Sequence, residues 1–95
     1  RLVPKAEADL EDIWRYTVDT WGVDQAIKYT DDIDAAFLRL AQTPHVFKER
    51  REFSPPVRIA PHASHLIVYL VDDQGIIVVR VLHESMDVDA QMEER

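Results

Sequence analysis

Between Val78 and Asp87 this chain places an arginine, a histidine and two acids, as Arg80, His83, Glu84 and Asp87. A guanidinium holds anions, an imidazole titrates near neutral pH and a carboxylate accepts protons, so the group contains what acid–base work on an anion requires. The residues before it, Ile76-Ile77-Val78-Val79, are β-branched and suit a core strand. The stretch therefore reads as a core strand that reaches an edge and offers polar groups to something outside. Each residue also has a structural reading. His83, at a strand end, can bond to backbone or to an acid such as Asp87. Arg80, flanked by apolar residues, can close an internal ion pair with its stem packed along the sheet. Met86 can anchor the tail in a groove or cover the core.

Other chemistries find less support. His62-x-x-His65 has the spacing of a metal pair and becomes a site only if acids converge on it, so no metal or other cofactor is expected. Gly22 and Gly75 are the only glycines, too few for a phosphate-cradling loop. Ser54, Ser64 and Ser85 lie in no nucleophile motif.

With 95 residues, 46% of them apolar and 31% charged, the chain is expected to fold as a single globular domain spanning 1–95. It has no cysteine, which excludes disulfides and thiolate metal sites. The longest apolar run, Leu66 to Val71, is far short of the roughly 20 residues a membrane helix needs. No signal-like segment precedes the first helix, and a cytoplasmic location is expected. The net charge of -7 argues against nucleic-acid binding, which is driven by Lys and Arg releasing counterions. A protein partner is the better expectation. Acids crowd the first 52 residues, which leaves Lys48, Arg50, Arg51, Arg58 and Arg80 to form a local basic patch.

The elements that must position these residues follow from periodicity. Arg1-Leu2-Val3 reads as a short strand, and Pro4 suits the first turn of a helix. Ala6, Leu10, Ile13, Trp14, Thr17 and Trp21 form one helical stripe that stops at Gly22. Asp24 is the expected N-cap of a second helix with the stripe Ala26, Tyr29, Ile33, Ala36, Phe37 and Leu40, ended by Pro44. So short a connection folds the helices back on one another as an antiparallel pair. Trp14, Trp21 and Tyr29, being on the stripes, are expected to be core or helix-packing residues.

His45 to Ser54 is charged and aperiodic, a loop or edge segment. Pro55-Pro56 permits an edge strand after it, over Val57-Arg58-Ile59-Ala60. His65–Val71 and Ile76–His83 form a hairpin around Asp72-Asp73-Gln74-Gly75. In-register pairing would put Leu66, Val68 and Leu70 with Ile77, Val79, Val81 and His83 as the floor beneath the helices. Ile67, Tyr69, Val71, Val78 and Arg80 would then lie on the open face, unless a bulge shifts the last residues. The tail from Met86 reads as a short helix or a frayed end. The expected fold is α+β, in the order β-α-α-β-β-β, with an antiparallel helix hairpin on one face of a small, mainly antiparallel sheet.

Three ordered motifs carry a resemblance. They are Ala6-x-x-Asp9-Leu10-x-x-Ile13-x-x-Tyr16, Trp21-Gly22-x-x-x-Ala26-x-x-Tyr29 and Phe37-x-x-Leu40-Ala41-x-x-Pro44. Arg58, His65-x-Ile67-x-Tyr69 and Arg80-Val81-Leu82-His83-x-x-Met86-Asp87 continue it. The ordered set resembles the ParE toxins of the ParE/RelE superfamily. That resemblance implies a type II toxin–antitoxin module in which an extended ParD-like antitoxin wraps the toxin in a hetero-oligomer. It also implies DNA gyrase as the poisoned target, and a toxin that is not an enzyme and binds no specific nucleic-acid sequence by itself.

Arg58, Tyr69, Arg80, His83, Met86 and Asp87 are the residues expected to meet antitoxin or target, and no residue is expected to be catalytic. The related RelE-type branch cleaves messenger RNA on the ribosome. It would require Arg58 or Arg80 on phosphate, His83 as acid and Glu52 or Glu84 as base. A non-toxic, degenerate binding module is a third reading.

Overall fold

One residue, Gly22, separates two helices in the computed structural model, which describes residues 1–93. They are α1 (Pro4–Trp21) and α2 (Val23–Gln42). Gly22 has φ of 94°, in the left-handed region that a side chain disfavours. Its N–H donates to the Val18 carbonyl at 2.9 Å, and its carbonyl accepts from the Ala26 N–H at 3.1 Å. It thus closes one helix and opens the next. The expected cap at Asp24 is corrected: Gly22 holds that position, and Asp24 lies in the first turn, where a carboxylate favours the positive end of the helix.

Four antiparallel strands follow in the spatial order of the chain. They are β1 (Glu49–Arg50), β2 (Val57–His62), β3 (His65–Asp72) and β4 (Gly75–His83). The charged segment expected as loop or edge supplies β1, so β2 is flanked on both sides and is not the edge strand. At the β3–β4 turn the Asp72 carboxylate accepts the Gln74 N–H at 2.8 Å, and Gly75 takes φ of 136°. The N-terminal strand is reduced to a single parallel bridge between Leu2 and Val78 on the outer side of β4. A short helix, α3 (Val88–Glu93), follows β4.

The expected sheet faces are inverted over residues 66–71 and 76–79, whereas Val81 lies beneath the helices as expected. The helices cover Ile67, Tyr69, Ile76, Val78 and Val81, which pack with Ala6, Ala36, Leu40 and Ala60. Three alanines in that layer leave room for the Tyr69 ring. The tyrosine hydroxyl is satisfied inside by donating to the Pro44 carbonyl at 2.8 Å, just beyond α2. Val57, Val68 and Leu82 lie on the other face, together with Ile59, Leu70 and Val79, and Phe53, Val88 and Met92 pack over them. Both faces are covered, so the strands read as continuous apolar runs with no alternation to orient them.

A bulge then divides β4. Val68 stands opposite Arg80 and Tyr69 opposite Val78, which leaves Val79 as the extra residue. Val78 and Val81 therefore face the helices from opposite sides of the bulge.

Candidate partner-binding groove

Beyond the bulge, β4 carries Arg80 toward α1. Its guanidinium donates from Nε and Nη2 to the two carboxylate oxygens of Asp9, at 2.8 and 3.0 Å. The same carboxylate accepts the Val81 N–H at 2.9 Å, and Arg80 Nη1 donates to the Gln91 carbonyl of α3 at 3.3 Å. Both side chains are 13% exposed. One forked pair thus ties α1, β4 and α3 together, the geometry in which arginine binds carboxylate best.

At the end of β4 the chain opens. His65 and His83 pair across β3 and β4, with their rings edge to face at 5.4 Å. The Tyr29 hydroxyl, from α2, lies 2.6 Å from His65 Nδ1. Burial first, then the neighbouring His83 and His62, lowers the pKa of His65, against an opposing pull from Glu84. In the tautomer with Nδ1 unprotonated, the Tyr29 hydroxyl donates a hydrogen bond to it. Tyr29 is itself pushed up, chiefly by burial, against hydrogen bonds to Ser64 and with help from the charges of Asp32 and Glu84. His83 Nδ1 accepts the Ser85 N–H at 3.1 Å and lies 2.7 Å from the Ser85 hydroxyl.

These residues form one wall of a groove of about 650 Å³. The C-terminal half of α1 forms the other, with Ile13, Tyr16 and Trp21, and Met86 closes the end. Tyr16 is 67% exposed and Trp21 70%. The expectation that Trp21 is a core or helix-packing residue is thus corrected: it is the last residue of α1 and lines the groove. Trp14 is also partly exposed, and Tyr29 is half-buried.

The six residues expected to meet a partner divide between these regions. His83 and Met86 line the groove, with Met86 46% exposed. Asp87 accepts the N–H groups of Asp89 and Ala90 and so caps α3. Arg80 belongs to the ion pair. Arg58 and Tyr69 stand opposite one another in the β2–β3 ladder, and Arg58 donates to the Phe47 carbonyl. Tyr69 is fully buried, which corrects its placement on an open face, and burial raises its pKa against the opposing charge of Arg58.

The expected basic cluster is likewise occupied by acids. Arg50 pairs with Glu52 at 2.8 Å and Arg51 with Glu49 at 3.0 Å, and the Arg50 hydrogen bond holds Glu52 below the usual carboxylate range. Among the described residues, no cluster of His, Asp and Glu could hold a metal, and no helix is long and apolar enough to cross a membrane.

Sequence reasoning missed Asp9 and the Tyr29–His65 contact. Asp9 had a signal, because it lies three residues after Ala6 and four before Ile13, on the stripe that faces the sheet. An acid there and an arginine inside an apolar strand each require the other. The Tyr29–His65 contact joins α2 to β3 and has no local signature.

A helix hairpin on one face of a four-stranded antiparallel sheet, with a short helix after the last strand, is the RelE/ParE-like α+β architecture. A chain from a solved structure, "Chromosomal ParDE TA system from P. aeruginosa", shares it with a TM-score of 0.73 and 25% identity, over 86% of this chain and 90% of that one. Residues 1–88 match the family described as ParE toxin of type II toxin-antitoxin system, parDE. Toxin ParE1 of Mycobacterium tuberculosis is 44% identical over 92 residues, covering 96% of this chain and 94% of that protein. Toxin ParE of Escherichia coli is 35% identical over 96 residues, covering 99% and 92%. The chain belongs to the ParE toxin family of type II toxin–antitoxin systems.

Proposed function

We propose that this chain arrests growth by poisoning DNA gyrase in the cytoplasm and is neutralised by a ParD-like antitoxin in a hetero-oligomer. Family membership across residues 1–88 carries the reading. The side chains support a non-enzymatic mode of action. Arg80 is held by Asp9 and Arg58 by the Phe47 carbonyl, so the two cations that phosphate cleavage would draw on serve the frame. His83 and Met86 are the direct contacts in this reading, while Arg58, Tyr69, Arg80 and Asp87 act by holding the surface in shape.

Gyrase supercoiling with the purified protein is the decisive assay. Inhibition with accumulation of cleaved DNA is expected, and full supercoiling at stoichiometric excess of the protein rejects gyrase as the target. In cells, expression should halt growth with DNA-damage signalling, and the antitoxin gene should rescue it. Tight partner association without growth arrest would instead identify a non-toxic binding module. The contact between His65 and His83 is the observation that favours a ribosome-dependent ribonuclease. Cut messenger RNA, abolished by His83→Ala, is the signature of that activity, and intact message in arrested cells removes it.

A further inference from the structure

The turn between β2 and β3 is two residues long, Ala63-Ser64, closed by the cross-strand pair of His62 and His65. Ala63 has φ of 51°, in the left-handed region that a β-carbon disfavours. Ser64 ties this strained turn to two other elements. Its carbonyl accepts the Glu84 N–H at 2.8 Å, at the end of β4, where the His83 carbonyl in turn accepts the Met86 N–H at 3.0 Å. Hydrogen bonds from the Ser64 hydroxyl and backbone also reach the Tyr29 oxygen of α2, and both favour the ionised phenol, so Ser64 is the donor in each. The Tyr29 proton is then left for His65 Nδ1, 2.6 Å away.

That network depends on the protonation state of one imidazole. A phenol oxygen has two lone pairs, and Ser64 engages both, so a protonated Nδ1 would face Tyr29 with no acceptor left for it. The surroundings of the ring resist the charge as well. His83 from β4 lies edge to face with it at 5.4 Å, and His62 from β2 shares the Tyr29 ring at 6.1 Å. Glu84 follows His83, Asp32 acts on Tyr29 from α2, and α1 presents Tyr16 and Asp12 across the groove, Asp9 being held by Arg80. Burial, then His83 and His62, oppose protonation of His65 more than Glu84 favours it. The closed network therefore binds fewer protons than a form with the ring released to water, and acid favours release.

We propose that Ala63-Ser64 is a proton-released latch: protonation of His65 breaks its bond with Tyr29, and the turn and the end of β4 part from α2. Ser64, His65, His83 and Met86 line the groove, so release reshapes that surface, while Ile67, Val68 and Leu82 stay buried in the sheet interior. The strain at Ala63 adds to the drive, because the turn relaxes once Ser64 is free. The device is a property of the fold and holds whatever partner the groove serves.

Amide exchange followed by NMR at pH 7.5 and 5.0 tests it, with rates converted to protection factors so that the intrinsic pH dependence of exchange drops out. The Glu84 protection factor should fall at least tenfold on acidification while that of Ile67 changes less than twofold. Nuclear Overhauser contacts between the Tyr29 and His65 rings should vanish over the same range. Tyr29→Phe removes the hydroxyl, so Glu84 should already be unprotected at pH 7.5 and vary less than twofold with pH. His65→Gln, which cannot charge, should likewise abolish the pH response and serves if the first variant does not fold by circular dichroism. His62→Gln with His83→Gln removes the two neighbours that oppose the charge, and release should then occur at higher pH than in the wild type. His45→Gln, in the segment between α2 and β1, should behave as the wild type. Constant protection at Glu84, loss at Glu84 and Ile67 in step, or a wild-type pH response in Tyr29→Phe or His65→Gln overturns the latch. Gyrase and antitoxin assays bear on none of these outcomes.

Discussion

Arg80 and His83 lie on the same strand and the same side of one bulge, but their surroundings differ. Arg80 is enclosed by α1 and α3, and its guanidinium bonds groups of the frame, namely both oxygens of Asp9 and the carbonyl of Gln91. His83 stands where the helix hairpin has ended, exposed and in a groove walled by Tyr16 and Trp21. Residue type therefore did not assign their roles. What decides is which element lies above the strand at that point, because a desolvated charge must be paired whereas an exposed imidazole is left open to contact. The sealed region should bear on stability, and the open one on recognition.

The largest effect expected from that contrast is Asp9→Ala. It removes the carboxylate from a largely buried guanidinium and from the Val81 N–H, and breaking such a pair costs about 3–5 kcal/mol. Urea unfolding followed by circular dichroism measures it. Joining Asp9→Leu with Arg80→Met should recover much of the loss, since no uncompensated charge then remains, although the Val81 N–H still lacks its acceptor. A loss below 1 kcal/mol for Asp9→Ala would erase the distinction between the two regions.

Tyr69→Phe comes next. The ring still fills the space beneath the alanines, but the Pro44 carbonyl loses its donor, at a cost of about 1–3 kcal/mol. No change in the urea midpoint would mean that water replaces the hydroxyl and that this end of the fold is open.

The two regions were also unequally legible in the sequence. Pro4, Gly22, Pro44 and the Asp72 to Gly75 turn punctuate the chain, so helices, hairpin and fold class follow from local chemistry. The sheet faces do not. From Leu66 to Val71 and from Ile76 to Val79 every residue is apolar, because α1 and α2 cover one face while Phe53, Val88 and Met92 pack on the other. Parity has nothing to grip there, and a bulge at Val79 leaves no mark among β-branched neighbours. Trp21 misled for the opposite reason: its spacing is that of the buried stripe, but at the last position of α1 it lines an open groove. The Asp9–Arg80 pair was half legible, the arginine noticed and its acid overlooked on the facing stripe.

A smaller effect should come from pH at the open end. Unfolded, the His65 imidazole protonates near 6.5. In the fold, burial and then His83 and His62 delay protonation, with Glu84 opposing. The folded state therefore binds fewer protons between its lowered pKa and 6.5, and stability falls as pH drops through that window and is level above it. His65→Gln should flatten this decline between pH 7.5 and 5.5. An unchanged slope in the variant would assign the titration to other groups.

The smallest change in stability is expected for Trp21→Ala. A tryptophan on a helical stripe, if it were core, would cost about 3–5 kcal/mol on truncation. At 70% exposed it has little burial to lose, and surface substitutions of that kind lie within about 0.5 kcal/mol. The urea midpoint should therefore hardly move, while the complex formed through the groove should weaken at least tenfold, since a large aromatic at the centre of an interface carries a disproportionate share of affinity. Loss of stability together with binding would mean that Trp21 supports the hairpin and that the groove is narrower than it looks. Loss of binding alone keeps the two regions of β4 separate, one for the frame and one for the partner.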